Sequence, residues 1–131
     1  MKKFLIGILL VCSGLSSVKD TNNPSHWIIG KWKMVTVLEG NQDISPVLNP
    51  DSNRWFQFEI DGNFQSGEGD RRTNTGTYDI DNQNNTLHID SDAGEDDDSN
   101  WRIQFREDLL YMRGIGTNRQ EMTTVISQRV N

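Results

Sequence analysis

Few residues in this chain of 131 could do chemistry, and most of those are acidic. The densest group runs Asp90-Ser91-Asp92-Ala93-Gly94-Glu95-Asp96-Asp97-Asp98. Carboxylates at alternate positions can surround a hard cation such as calcium. The spacing lacks the glycine at position six and the glutamate at position twelve of an EF-hand loop. The competing reading is a solvated loop that its own charges hold open. His26 and His88 do not cluster: His26 precedes the first strand, and His88 faces outward by alternation. Glu59, Asp79 and Asp90 also face outward, so a pair of facing carboxylates for glycoside hydrolysis has no support. Arg71-Arg72 could grip a carboxylate bidentately, or pair with the neighbouring Glu68 or Asp70. No serine or cysteine stands in a nucleophile motif. The residues predict no catalytic group, no metal site and no cofactor, hence not an enzyme.

The N-terminus reads as an export signal over residues 1–16. Lys2 and Lys3 precede an apolar stretch from Phe4 to Val11, with small residues at Ser13, Gly14, Ser16 and Ser17. The stretch is too short to span a bilayer as a helix. Two fates stay open. Gly14 and Ser16 suit cleavage before Ser17. Alternatively, Leu9-Leu10-Val11-Cys12 resembles a bacterial lipobox, in which Cys12 would be acylated and anchor the protein to a membrane. The expected location is periplasmic, secreted or membrane-anchored. Cys12 is the only cysteine, so the remainder has no disulfide or cysteine metal site. Residues 17–26 form a tether, and 27–131 one domain. Losing Lys2 and Lys3 leaves eleven basic residues against nineteen acidic, a formal charge of −8. Phosphate binding needs Lys and Arg to displace counterions, so nucleic acid is not an expected partner.

Period-two alternation dominates after residue 29. Asn23-Pro24 is a cap and N1 pair for one helical turn. Strand one, 30–39, puts Trp32, Met34, Thr36 and Leu38 inward and Lys31, Lys33, Val35 and Val37 outward. Strand two, 54–60, puts Phe56, Phe58 and Ile60 inward. Asp61-Gly62 signals a type I′ hairpin turn. The later inward sets are Phe64 and Ser66; Gly76, Tyr78 and Ile80; Leu87 and Ile89; Trp101, Ile103 and Phe105; Leu110 and Met112; and Met122, Thr124 and Ile126. In the last strand Val125 is the competing inward residue. The pattern predicts an all-β fold: an eight-stranded antiparallel up-and-down barrel with a short N-terminal helical turn. A β-sandwich is the alternative. Links around 39–53, 67–73, 91–99 and 114–119 are long and fall at one end, whereas those around 61–62, 81–85 and 107–108 are tight.

Gly30-x-Trp32 behind the turn holding Trp27, the Asp61-Gly62-x-Phe64 hairpin and the Gly76-x-Tyr78 strand resemble the small bacterial lipocalin-like domains. The resemblance implies a barrel with a plugged bottom under Trp32 and a mouth ringed by the long loops. In larger members an arginine near the end of the last strand lies across the entry tryptophan. Arg129 matches that position, although the preferred alternation of the last strand turns it outward.

These readings make Trp32, Phe64, Tyr78 and Phe105 a structural plug. The mouth half is lined by Thr36, Leu38, Phe56, Ser66, Gly76, Ile89, Trp101, Met112 and Met122, where small residues leave room and Trp101 can stack on a ligand. The expected function is binding or sequestering a small hydrophobic ligand in the cell envelope. The alternative is a protein-binding module, an inhibitor or envelope assembly factor acting through the mouth loops. Trp55, outward, would pack under the 39–53 loop or anchor a partner. Val35, Val37 and Val125 would form an outer patch supporting at most a weak dimer.

Overall fold

The computed structural model describes residues 23–131. The export tract, Cys12 and most of the tether lie outside the described residues. Among those described, no helix is long and apolar enough to cross a membrane.

A four-residue helix, α1 (Pro24–Trp27), leads into β1 (Gly30–Glu39), β2 (Gln42–Asp43), α2 (Ser45–Leu48), β3 (Arg54–Phe58), β4 (Asn63–Glu68), β5 (Arg71–Asp81), β6 (Thr86–Ser91), β7 (Ser99–Arg106), β8 (Leu109–Ile115), α3 (Asn118–Glu121) and β9 (Thr123–Val130). The sheet runs β9-β8-β7-β6-β5-β4-β3-β1-β2, and β9 also pairs with β1. β2 is a two-residue appendage on the end of β1. The other eight strands close an antiparallel barrel, so the fold expected from alternation stands and no long edge is left unpaired. The interior is one apolar cluster, with Trp32, Phe58, Leu87 and Leu110 at its centre.

Two expected alternations fail, and both failures have a backbone cause. In the β9–β1 ladder Ile126 pairs with Thr36 but Ser127 pairs with Met34, so Val35 is an extra residue. This β-bulge reverses the parity of β1 beyond it. Trp32 is buried and Met34 partly so, as expected, but Val37 is then turned inward, while Thr36 and Leu38 leave the interior. β9 takes the competing parity. Val125 and Ser127 are buried, Met122 is 52% exposed, and Ile126 and Thr124 are only half-buried. Val37 and Val125 therefore face each other in the core, and the proposed outer valine patch does not exist.

The turns differ too. β3 stops at Phe58, and Ile60 projects into solvent, 85% exposed, instead of facing inward. Gly62 donates to the Glu59 carbonyl and has φ 92°, whereas Asp61 is not in the positive-φ region. A type I′ turn needs positive φ at both central positions, so this hairpin is of another kind. The β4–β5 link is a two-residue turn, Gly69-Asp70, and not a long loop. The other three links at that end remain long.

Candidate functional site

The bottom of the barrel shows why Gly30-x-Trp32 is spaced as it is. Trp32 is 1% exposed, and its indole Nε1 donates to the Ile28 carbonyl at 2.9 Å. Its ring meets Phe105 at a centroid distance of 5.9 Å. With β9 in the observed parity, Arg129 turns inward at the Trp32 rung. Its guanidinium lies 4.3 Å from the Trp32 ring centroid. It donates to the Ile29 carbonyl at 2.9 Å and to the Trp27 carbonyl. Gly30, at φ 130°, makes room for it: a Cβ there would stand 2.8 Å from Arg129 Nη1. One side chain thus ties the last strand to the entry helix and caps the plug. Burial pulls the guanidinium pKa below its ordinary value. Phe58, at the Gly30 rung, packs against Phe64 and Tyr78 at 5.3 and 5.0 Å and completes the bottom of the core. The Tyr78 hydroxyl donates to the Glu59 carbonyl at 2.7 Å. Burial, then the Asp61 and Glu59 carboxylates, raises its pKa.

At the opposite end lies a cavity of about 180 Å³. Its wall is Met34, Phe56, Phe64, Ile89, Trp101, Met112 and Val125, with Ser66, Asn74, Ser99 and Asp97 at the polar rim. Trp101 is held by its Nε1 donating to the Ser99 hydroxyl at 2.8 Å, and Asn74 by donating to the Ser91 hydroxyl at 2.8 Å. The loop after β1 is clamped beside the bulge: buried Asn49 donates to the Met34 carbonyl, Ser45 accepts from Val37 N, and Ile44 N donates to the Val37 carbonyl.

Of the nine residues expected to line the mouth half, Phe56, Ser66, Ile89, Trp101 and Met112 do line this cavity. Thr36 and Leu38 do not, because the bulge turned them out. Met122 caps α3 and lies over Gly40 on the exterior. Gly76 is buried in the β5–β6 pair, where a Cβ would strike the Asp90 carbonyl; it serves strand approach and leaves no free volume. Phe64, assigned to the plug, packs on Phe58 and also lines the cavity. Asn74 and Ser99 were missed, although each stands two residues before an inward residue, Gly76 and Trp101. Met34 faces inward as expected and lines the cavity too, and Val125 lines it in the competing parity of β9.

The other candidates resolve into local structure. Trp55 meets the end of the 39–53 loop only by way of Gly69, whose N–H donates to the Asn53 carbonyl. It lies across Gly67 on the outer wall, donates to the Gly69 carbonyl at 2.8 Å, and carries Lys31 Nζ 4.4 Å from its ring centroid. Glu68 pairs with Arg54 at 3.6 Å and not with Arg71 or Arg72. His88 Nδ1 is 2.7 Å from the Asn100 side-chain oxygen. In the acidic loop Asp98 accepts from Ser91 N and Asp92 from the Thr75 hydroxyl, so two of its carboxylates pin the loop to the barrel. Among the described residues no three His, Cys, Asp or Glu side chains are placed to hold a metal ion.

By sequence, the chain matches no protein-family model and no curated protein. By structure it is similar to a DUF4847 family protein from Bacteroides vulgatus ATCC 8482, known from a crystal structure at 1.00 Å resolution. The TM-score is 0.55 at 15% identity, over 77% of this chain and 92% of that one. At that identity the likeness concerns the fold.

Proposed function

We propose that this protein is a non-enzymatic, lipocalin-like barrel that binds a small hydrophobic ligand through its mouth, in the cell envelope after export. The observation that carries this reading is the apolar cavity under the long loops, walled by Phe56, Trp101, Ile89 and Met112. The entry motif supports the lipocalin-like part, since Gly30, Trp32 and Arg129 form one stacked unit. Pockets for drug-sized ligands run from about 300 Å³, and an apolar cavity of about 150 Å³ admits benzene. A cavity of about 180 Å³ therefore suits one ring or a short branched chain, not an extended lipid. Met34 and Met112 can adapt to its shape.

Indole is a suitable probe. Titration should shift the amide resonances of residues around Trp101, Ile89 and Met112. Trp101→Ala should weaken binding, while a long-chain fatty acid should not bind. No indole binding at millimolar concentration, or equal affinity in Trp101→Ala, would remove the basis for the reading. Export is tested separately: palmitate label lost in Cys12→Ser marks the lipoprotein branch, and processing before Ser17 without label marks the secreted one.

A further inference from the structure

The outer wall holds a second, larger recess, far from the mouth in chemistry. A groove of about 520 Å³ runs over β7, β8 and β9, lined by Arg102, Gln104, Tyr111, Arg113 and Thr124, with Asn84 and Asn85 of the β5–β6 turn at its edge. Arg102 and Arg113 are direct cross-strand partners, as are Gln104 and Tyr111. Like charges placed directly opposite across a ladder are destabilising. Both arginines are exposed, and among the described residues no carboxylate lies within ion-pairing distance of either. Arg106 is likewise without an acid; its guanidinium lies 5.3 Å from the Tyr111 ring centroid. In a chain of formal charge −6, three arginines without a carboxylate partner among the described residues thus share one outer face of β7 and β8. Arg113 is also pre-oriented. Its Nε donates to the Glu121 carbonyl at 3.1 Å, which leaves the two terminal nitrogens for another partner.

We propose that this groove binds an oligosaccharide bearing carboxylates, of the uronic acid class. Two neighbouring guanidinium forks match the geometry of a carboxylate. Besides Ile103 at its floor, the remaining lining is two asparagine amides, a glutamine amide, a tyrosine and a threonine, which suits a ligand rich in hydroxyls. The groove is also several times the size of an isolated oxyanion. A polyphosphate chain is disfavoured, because it offers no hydroxyls to the amide, tyrosine and threonine groups beside the arginines. The site lies on the outer wall and shares no lining residue with the mouth cavity.

The experiment is a titration of isotope-labelled protein with trigalacturonate, followed by amide chemical shifts. Shifts should concentrate on residues 102–104, 111–113 and 124, and weaken with added salt. R102Q/R113Q should lower the affinity by at least about tenfold, the effect of losing one charge-assisted pair. Its melting temperature should hold or rise, since a repulsive pair is removed. R102K/R113K keeps the charge but loses the planar fork, so it should bind more weakly than wild type. Trp101→Ala should bind trigalacturonate normally. The proposal is overturned if trigalacturonate produces no shifts at millimolar concentration, if R102Q/R113Q binds it as wild type does, or if neutral maltotriose or inorganic phosphate binds as tightly.

Discussion

Arg129→Met tests how the barrel is closed. The substitution keeps an unbranched side chain of similar reach and removes the guanidinium. Two hydrogen bonds are lost, to the Ile29 and Trp27 carbonyls, together with the stacking on Trp32. Hydrogen bonds to a charged donor contribute about 1.5–3 kcal/mol each. Arg129 is only half-buried, so the lower end applies, about 3 kcal/mol for the pair. A partly exposed cation–π contact adds about 0.5–1 kcal/mol, and the apolar contacts of methionine offset a similar amount. The expected net loss is about 3 kcal/mol. In urea that lowers the midpoint by roughly 1–3 M, and the melting temperature falls by about 10–20 °C for a domain of this size. Arg129→Lys, a point charge without the fork, should recover less than half of the loss. Gly30→Ala attacks the same contact from the other side, because its Cβ would stand 2.8 Å from Arg129 Nη1 in a backbone at φ 130°. The two changes should therefore be strongly non-additive in a double-mutant cycle. A loss below about 1 kcal/mol for Arg129→Met, or additive effects with Gly30→Ala, would refute the clamp and leave β9 held by its ladder alone.

Three further outcomes follow from single contacts. The Ser127 hydroxyl is fully buried with no hydrogen-bond partner among the described residues, so Ser127→Ala should be neutral or stabilise by up to about 1 kcal/mol in thermal melts; a clear destabilisation would reveal a bound polar partner. Gly76→Ala should destabilise by about 2–3 kcal/mol, because its Cβ meets the Asp90 carbonyl across the β5–β6 ladder; an unchanged melting temperature would show that the ladder relaxes freely. The Tyr78 phenol has a raised pKa, from burial first and then from the Asp61 and Glu59 carboxylates. The unfolded chain therefore ionises first as pH rises, and this contribution is intact below about pH 10 and lost above it. Urea midpoints across that range should decline less steeply in Tyr78→Phe, and parallel slopes would count against the assignment.

The alternation of small apolar and polar runs determined the architecture. Phe56 and Phe58, Leu87 and Ile89, and Leu110 and Met112 lie inward as the pattern required, because a period of two admits one buried face per strand. The long loops after β1, β6 and β8 and the tight turns opposite them were legible for the same reason: turn chemistry is local. What the sequence left open was parity at the seam. Val35 is a single extra residue in β1, visible only against its partner β9, and a bulge has no local signature when both flanking residues fit a strand. That one residue removed Thr36 and Leu38 from the cavity and brought Val37 to face Val125, in the parity of β9 that turned Arg129 onto Trp32. The Arg102–Arg113 pair was hidden likewise, since the two arginines stand eleven positions apart and only the register of β7 against β8 makes them neighbours. Composition and alternation chose a barrel. Register, a property of pairs of strands closing over a common core, decided which side chains line its cavity and which meet on its outer wall.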